Sequence, residues 1–179
     1  WHMNDKTTDT IKDSTSNYNN GTKTSVNNPL ESIGKIGECQ NFAGDDRILV
    51  GNGNSLSGEV YTIECWILPD IVQPSTYTNY FINRASGSYN YKCRIKGDTG
   101  RSNFEVYDSS IPSYKQSEVA GDRRGYWNYF VAVRDSAGDI FQYLDTTKSS
   151  VVDATGLTIT KLNTNTYVGS GASSSQFYK

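Results

Sequence analysis

Seven residues, Tyr61-Thr62-Ile63-Glu64-Cys65-Trp66-Ile67, limit what this chain can become. Tyr61, Ile63, Cys65 and Ile67 fall on one side of an extended backbone, and Thr62, Glu64 and Trp66 on the other. A period of two makes a strand face, not a helix stripe. The same alternation runs through "SYNYKCRIKG", "RSNFEVYD", "YWNYFVAVRD", "DIFQYLDTT" and "NTNTYVGSG", with Gly, Asp, Asn and Pro between the runs. No window of a dozen residues keeps an apolar i, i+3, i+4, i+7 stripe free of turn residues. Many short strands at this spacing predict an all-β chain, a two-sheet antiparallel β-sandwich or jelly roll.

Size and charge narrow the function. A chain of 179 residues forms one domain with one real core, read here as spanning 1–179. A net charge of −2 and a pI near 5.4 give no bulk attraction for a phosphate backbone, so nucleic acid is not an expected partner. No apolar run is long enough for a membrane span. The three cysteines, Cys39, Cys65 and Cys93, sit inside alternating runs without C-x-x-C spacing. They read as small buried hydrophobes rather than metal ligands. Residues 7–29 are nearly all polar, and their Asp, Ser and Asn predict an ordered loop held by side-chain hydrogen bonds. Trp1-His2-Met3 before it reads as a strand in need of a partner.

In order along the chain, "WHMND", "DSTSNYNNGT", "GKIGECQNFAGDDRILV", "YTIECWILPD", "YWNYFVAVRDSAGDIFQYLD" and "NTYVGSG" resemble the blocks of laminin G-like domains of the concanavalin A-like lectin/glucanase superfamily. The resemblance implies a jelly roll with one concave and one convex sheet. It departs from the family at Ala43, Gln40 and Thr146, where Asp, an apolar residue and Gly are usual. The family also continues with a further strand beyond the chain's "QFYK". A domain lacking that strand would leave a neighbour's hydrogen-bonding edge open to self-association.

Catalysis finds no residues. Glucanases of the superfamily carry E-x-D-x-x-E on one strand, which aims all the acids into the cleft. Here Glu59 and Glu64 are five residues apart, on opposite faces of a regular strand, and Tyr61 stands where the middle acid belongs. The single histidine, His2, is terminal and makes no triad. The chain reads as no enzyme.

Two candidate sites remain. Asp45 and Asp46 follow Gly44 at the end of a strand and read first as a corner. Their second reading is a calcium site, because hard cations want several oxygens from one loop. Asp13, with Asn17 and Asn19, would add oxygens if the loop lies at the sheet rim, as the resemblance implies. Trp66, Tyr89, Tyr91 and Tyr107 are candidate stacking platforms for sugar rings, with Tyr89 and Tyr91 expected on one strand face. The reading is therefore a non-catalytic carbohydrate-binding or adhesion module of an extracellular or cell-surface protein, with a glycan or a surface protein as partner. The alternative is a structural or assembly module without a small ligand.

Overall fold

The computed structural model describes residues 1–3, 9–23, 28–42, 46–52, 56, 58–71, 77–85, 88–108, 111, 113–159 and 165–169. Their strands are β1 (Thr10–Ile11), β2 (Gly21–Lys23), β3 (Leu30–Ile33), β4 (Glu38–Asn41), β5 (Arg47–Asn52), β6 (Tyr61–Ile67) and β7 (Tyr77–Ala85). There follow β8 (Ser88–Lys96), β9 (Ser102–Asp108), β10 (Ser113–Val119), β11 (Asn128–Arg134), β12 (Ile140–Leu144), β13 (Thr147–Lys148) and β14 (Asn165–Gly169). Eight strands form one antiparallel sheet in the order β1-β2-β5-β14-β7-β8-β9-β10, and four form a second in the order β13-β12-β11-β6. β3 and β4 make a separate hairpin. This is the predicted all-β sandwich.

Alternation decides what lies between the sheets. From β8 and β9, Tyr91, Cys93, Phe104 and Val106 pack against Phe130, Ala132, Ile140 and Leu144 of β11 and β12. Tyr61, Ile63, Cys65 and Ile67 pack against the same cluster from β6, the face assigned to them above. Ala154, Leu157 and Ile159 close it from the segment after β13. Each fully buried aliphatic or aromatic side chain here contributes about 1.5–3 kcal/mol of transfer free energy. A polar staple also crosses the core. Gln142 of β12, fully buried, donates from Nε2 to Ser117 O (2.6 Å) and Ser102 O (3.2 Å) and accepts from Ser102 Oγ (2.8 Å). All its amide valences are met, so the buried amide costs little and fixes the sheets' registration.

Two local readings change. Residues 1–3 form no strand. Instead Trp1 and Met3 pack on the small cluster of Ile11, Ile48 and Val50, and Trp1 Nε1 donates to Asn19 O (2.6 Å). The polar N-terminal segment is ordered over residues 9–23, where β1 and β2 extend the large sheet. The three cysteines are free thiols, and burial pushes Cys65 up to about 12. At the β12–β13 turn, beside the Thr146 that replaces the family's glycine, Asp145 takes a positive φ of 53°. Its Oδ1 accepts from Tyr129 N (2.8 Å), which helps hold an L-residue in that region. Among the described residues, β6 is an edge strand of the four-stranded sheet. Among the described residues no helix is long and apolar enough to cross a membrane.

Candidate functional site

The face of the eight-stranded sheet turned away from the core, the side on which the family resemblance puts the hollow of a jelly roll, is polar yet shielded over β8 and β9. β8 sends Tyr91, Cys93 and Ile95 to the core and Lys92 and Arg94 outward, while β9 sends Ser102, Phe104 and Val106 inward and Asn103, Glu105 and Tyr107 outward. Register places Lys92 opposite Glu105 and Arg94 opposite Asn103. Ile82, opposite Lys92, and Tyr167, opposite Ile82, continue the same face.

Glu105 is the hub, with only 2% of its surface exposed. Its carboxylate meets Lys92 Nζ at 2.9 Å, accepts from Arg94 Nη2 and accepts from the Tyr89 hydroxyl. Arg94 Nε donates to Asn103 Oδ1 (3.0 Å), so each member orients the next. Burial outweighs the two cations at its oxygens and pushes the Glu105 carboxyl up, to about 7. Beside this network the Tyr89 and Tyr107 rings lie 4.9 Å apart at a 31° tilt, and Lys92 Nζ stands 3.8 Å from the Tyr89 centroid. Both rings are half-buried. Among the described residues, three buried polar atoms on or at this face lack a hydrogen-bond partner: Asn103 Nδ2, Asn79 Oδ1 and Arg47 Nε. Asn79 is paired with Arg94, and Arg47 stands over the Tyr167 ring. The arrangement offers stacking surface and fixed donors within one sheet face.

The aromatic candidates separate into three places. Tyr89 and Tyr107 come together on the hollow face. Tyr91 does not join them: it is 3% exposed, sits in the core, and donates its hydroxyl to Leu56 O. The cause is a bulge. Asn83 pairs with Tyr91 but Arg84 pairs with Tyr89, so Asn90 is an extra residue that turns Tyr89 to the opposite face. Asn90 is buried and its Nδ2 donates to Asn83 Oδ1 (2.7 Å), while Asn83 Nδ2 donates to Thr166 Oγ1 (2.8 Å), pinning the bulge. Trp66, 39% exposed, lies on the outer face of the other sheet, 5.2 Å from the Tyr129 ring, with Lys35 Nζ 5.7 Å away. It therefore belongs to a separate surface.

The acidic candidates divide as well. Asp13 serves its own turn. Its carboxylate accepts from Thr15 N (2.9 Å), Thr15 Oγ1 (2.8 Å) and Asn19 N (2.8 Å). The hydrogen bond from the Thr15 backbone leads the causes that hold its carboxyl below the usual range. Asp45 lies outside the described residues, and Asp46 is half-buried at the start of β5. Among the described residues no three His, Cys, Asp or Glu side chains are grouped to hold a metal ion. Glu59 and Glu64 are also engaged apart from each other. Glu59 accepts from Arg134 and from Ile159 N, and Glu64 accepts from the Tyr129 hydroxyl (2.8 Å) on the outer face.

Lys92, Arg94, Asn103 and Glu105 were not singled out from the sequence. Each occupies the polar side of an alternating run, where a solvated face is the usual outcome. Only the cross-strand register, which alternation does not reveal, gathers them.

Residues 42–179 match the family model for laminin G-like domains described as the concanavalin A-like lectin/glucanases superfamily. No curated protein matches the chain by sequence. Among solved structures, the binding domain of Paraclostridial Mosquitocidal Protein 1 is similar in fold, at 14% identity and a TM-score of 0.71 over 95% of this chain and 46% of that one. The botulinum neurotoxin serotype D ligand binding domain in complex with N-acetylneuraminic acid gives 13% identity and a TM-score of 0.60, covering 97% and 45%. That of the mosaic serotype C/D receptor binding domain gives 14% and 0.62, covering 93% and 43%. The chain thus spans less than half the length of these toxin domains, and at such identities the likeness is one of fold. With a family match over most of its length and the two sheets described above, the chain belongs to the concanavalin A-like lectin/glucanase superfamily, as a laminin G-like jelly roll.

Proposed function

We propose that this jelly roll is a non-catalytic module, displayed outside the cell, that binds glycan on the hollow face of its eight-stranded sheet. The observation that carries the reading is the Tyr89–Tyr107 pair beside a prearranged Lys92–Glu105–Arg94–Asn103 network. Sugar rings present C–H faces to aromatic rings and hydroxyls to fixed donors and acceptors, and both are offered here within one sheet face. The toxin domain in complex with N-acetylneuraminic acid, 45% of which this chain covers, makes a sugar the ligand class to test. Hydrolysis would need an acid and a second carboxylate free to act on either side of a glycosidic bond. Glu105 is held by two cations and a phenol, and Glu118 by Arg101 (2.9 Å). A glycan array followed by calorimetry tests the reading. Wild type should bind, Tyr107→Ala should bind about tenfold more weakly through lost stacking, and no reducing ends should be released. Equal binding by Tyr107→Ala would remove the hollow face from consideration.

A second reading has its own observation. Trp66 and Tyr129, then Phe141 and Tyr143 (5.9 Å), line the outer face of the four-stranded sheet, with Leu68, Ile33 and Ile36 exposed elsewhere and β6 at the edge. An apolar face beside an edge strand suits a protein partner or assembly contact. Sedimentation velocity on wild type and Trp66→Ser decides it. Concentration-dependent association that the substitution abolishes would favour assembly.

A further inference from the structure

We propose that the hollow face takes an extended oligosaccharide that carries an N-acetylated amino sugar. One unit of the chain stacks on Tyr89 and Tyr107, and the acetamido group of another lies between Asn79 and Asn103. The proposal rests on the glycan-binding reading above and names its ligand class.

Two orphaned atoms carry it. Asn103 is 1% exposed, its Oδ1 accepts from Arg94 Nε (3.0 Å), and its Nδ2 has no partner among the described residues. Glu118, opposite Asn103 on β10, is engaged by Arg101 instead. Asn79 of β7 holds a buried Oδ1 that is likewise without a partner among the described residues. Register sets Asn79 and Asn103 on either side of Arg94, on the same sheet face. One cross-strand row therefore holds an unmet donor and an unmet acceptor. A buried polar atom left unpaired loses its hydration without return, so the pair marks where a partner belongs. Simple packing of the sheet calls for neither group.

Spacing selects that partner. β8 lies between the two strands, so the Asn79 and Asn103 backbones stand about 10 Å apart. A sugar hydroxyl works from one oxygen, and each of its partners must come within about 3 Å of that atom. A trans amide carries its N–H and its C=O on opposite edges, so it serves groups set farther apart. The acetamido N–H donates to Asn79 Oδ1, and its C=O accepts from Asn103 Nδ2. Length follows from the same register. Tyr107 and Asn103 are four residues apart along β9, about 13 Å, more than one sugar ring spans. The stacked ring and the acetamido sugar are therefore different units of one chain lying along β8 and β9.

The test is calorimetry on residues 1–179 with three tetrasaccharides of one β-linked backbone: chitotetraose, its fully deacetylated form and cellotetraose. They carry acetamido, ammonium and hydroxyl groups at the same carbon. Chitotetraose should bind about tenfold or more tightly than either of the others, the loss expected when a buried donor and acceptor stay unpaired. Asn79→Leu and Asn103→Asp should each bring chitotetraose down to the level of cellotetraose. The first removes the acceptor; the second removes the donor and keeps the oxygen that Arg94 uses. Asn79→Asp keeps an acceptor oxygen and should retain the margin. Because Asn79 Oδ1 has no partner in the free domain, Asn79→Leu should leave Tm unchanged or raised, so a lost margin there is not a lost fold. If the melting curve shows that Asn103→Asp does not fold, the two Asn79 variants decide alone. If the array selects a different N-acetylated glycan, that glycan and its deacetylated form take the place of the chitotetraose pair. Equal binding of chitotetraose and cellotetraose, both weakened by Tyr107→Ala, would overturn the acetamido selectivity and leave the glycan reading in place. A margin that survives both Asn79→Leu and Asn103→Asp, or array glycans that all lack an N-acetylated sugar, would do the same. No binding of any probe, with nothing bound on the array, would remove both.

Discussion

Arg134 ends β11 with its side chain 3% exposed, and replacing it by methionine tests how the open end of the sandwich is closed. Its Nη1 donates to Glu59 Oε2 and its Nη2 to Leu157 O, both at 2.5 Å. Glu59 also accepts from Ile159 N (3.0 Å). One guanidinium thus helps tie residues 157–159, which bring Leu157 and Ile159 into the core, to the start of β6. Each charge-assisted hydrogen bond contributes about 1.5–3 kcal/mol net. Methionine restores much of the buried stem, and the Glu59 side chain, 51% exposed, can be hydrated once its cation is gone. The loss should therefore fall below the ~3–5 kcal/mol seen when a charge is stranded in the interior. We expect Arg134→Met to cost about 2–4 kcal/mol by urea unfolding, or about 5–15 °C in Tm for a domain of this size. Arg134→Lys should recover less than half of that, because one ammonium cannot reach both acceptors in fork geometry. A methionine variant within 0.5 kcal/mol of wild type, on the order of a neutral surface change, would refute the clamp.

Three further outcomes follow from the same geometry. Asp13→Ala should lower Tm through loss of the turn's three hydrogen bonds, by the same amount with and without EDTA; a loss that EDTA alone reproduces in wild type would make Asp13 a metal ligand instead. Cys65, its thiol pushed up to about 12 by burial, should resist a thiol reagent at pH 8 until the domain unfolds, whereas rapid native-state labelling would contradict its inward face. Glu105 has a folded value of about 7 against 4.5 for the free side chain, so the folded state holds the extra proton between those values. Its contribution is full below pH 4.5 and fades as pH rises through 7, so Tm should fall between pH 5 and 8 by an amount that Glu105→Gln removes; parallel profiles for the two proteins would be the contrary result.

Much of the scaffold was readable in the chain. The inward set Tyr61, Ile63, Cys65 and Ile67 of β6 follows from alternation alone, because one buried face fixes which side each residue takes. The same rule misplaced Tyr91. It assumes an unbroken pleat, and the extra residue Asn90 shifts the phase between Tyr89 and Tyr91. Nothing local marks that bulge, since the asparagine is pinned by Asn83 and Thr166 from distant strands. Trp66 was read correctly as facing away from the core, but two sheets have two outer faces, and periodicity does not say which carries the site. Glu105 was overlooked because its burial comes from side chains of β8, Tyr89, Lys92 and Arg94, and not from apolar neighbours in the chain. Its cations lie 11 and 13 residues away and meet it only through the β8–β9 register. The polar staple of Gln142 with Ser102 and Ser117 escaped for the same reason.

The central claim, that the hollow face is where glycan binds, is tested most directly by tyrosine-ring NMR signals during titration with an oligosaccharide the array selects. The account predicts saturable shifts of the Tyr89 and Tyr107 rings, with the Tyr129 ring beside Trp66 and the buried Tyr91 ring unmoved or nearly so. Saturable shifts centred on Tyr129, with Tyr89 and Tyr107 unchanged, would contradict it.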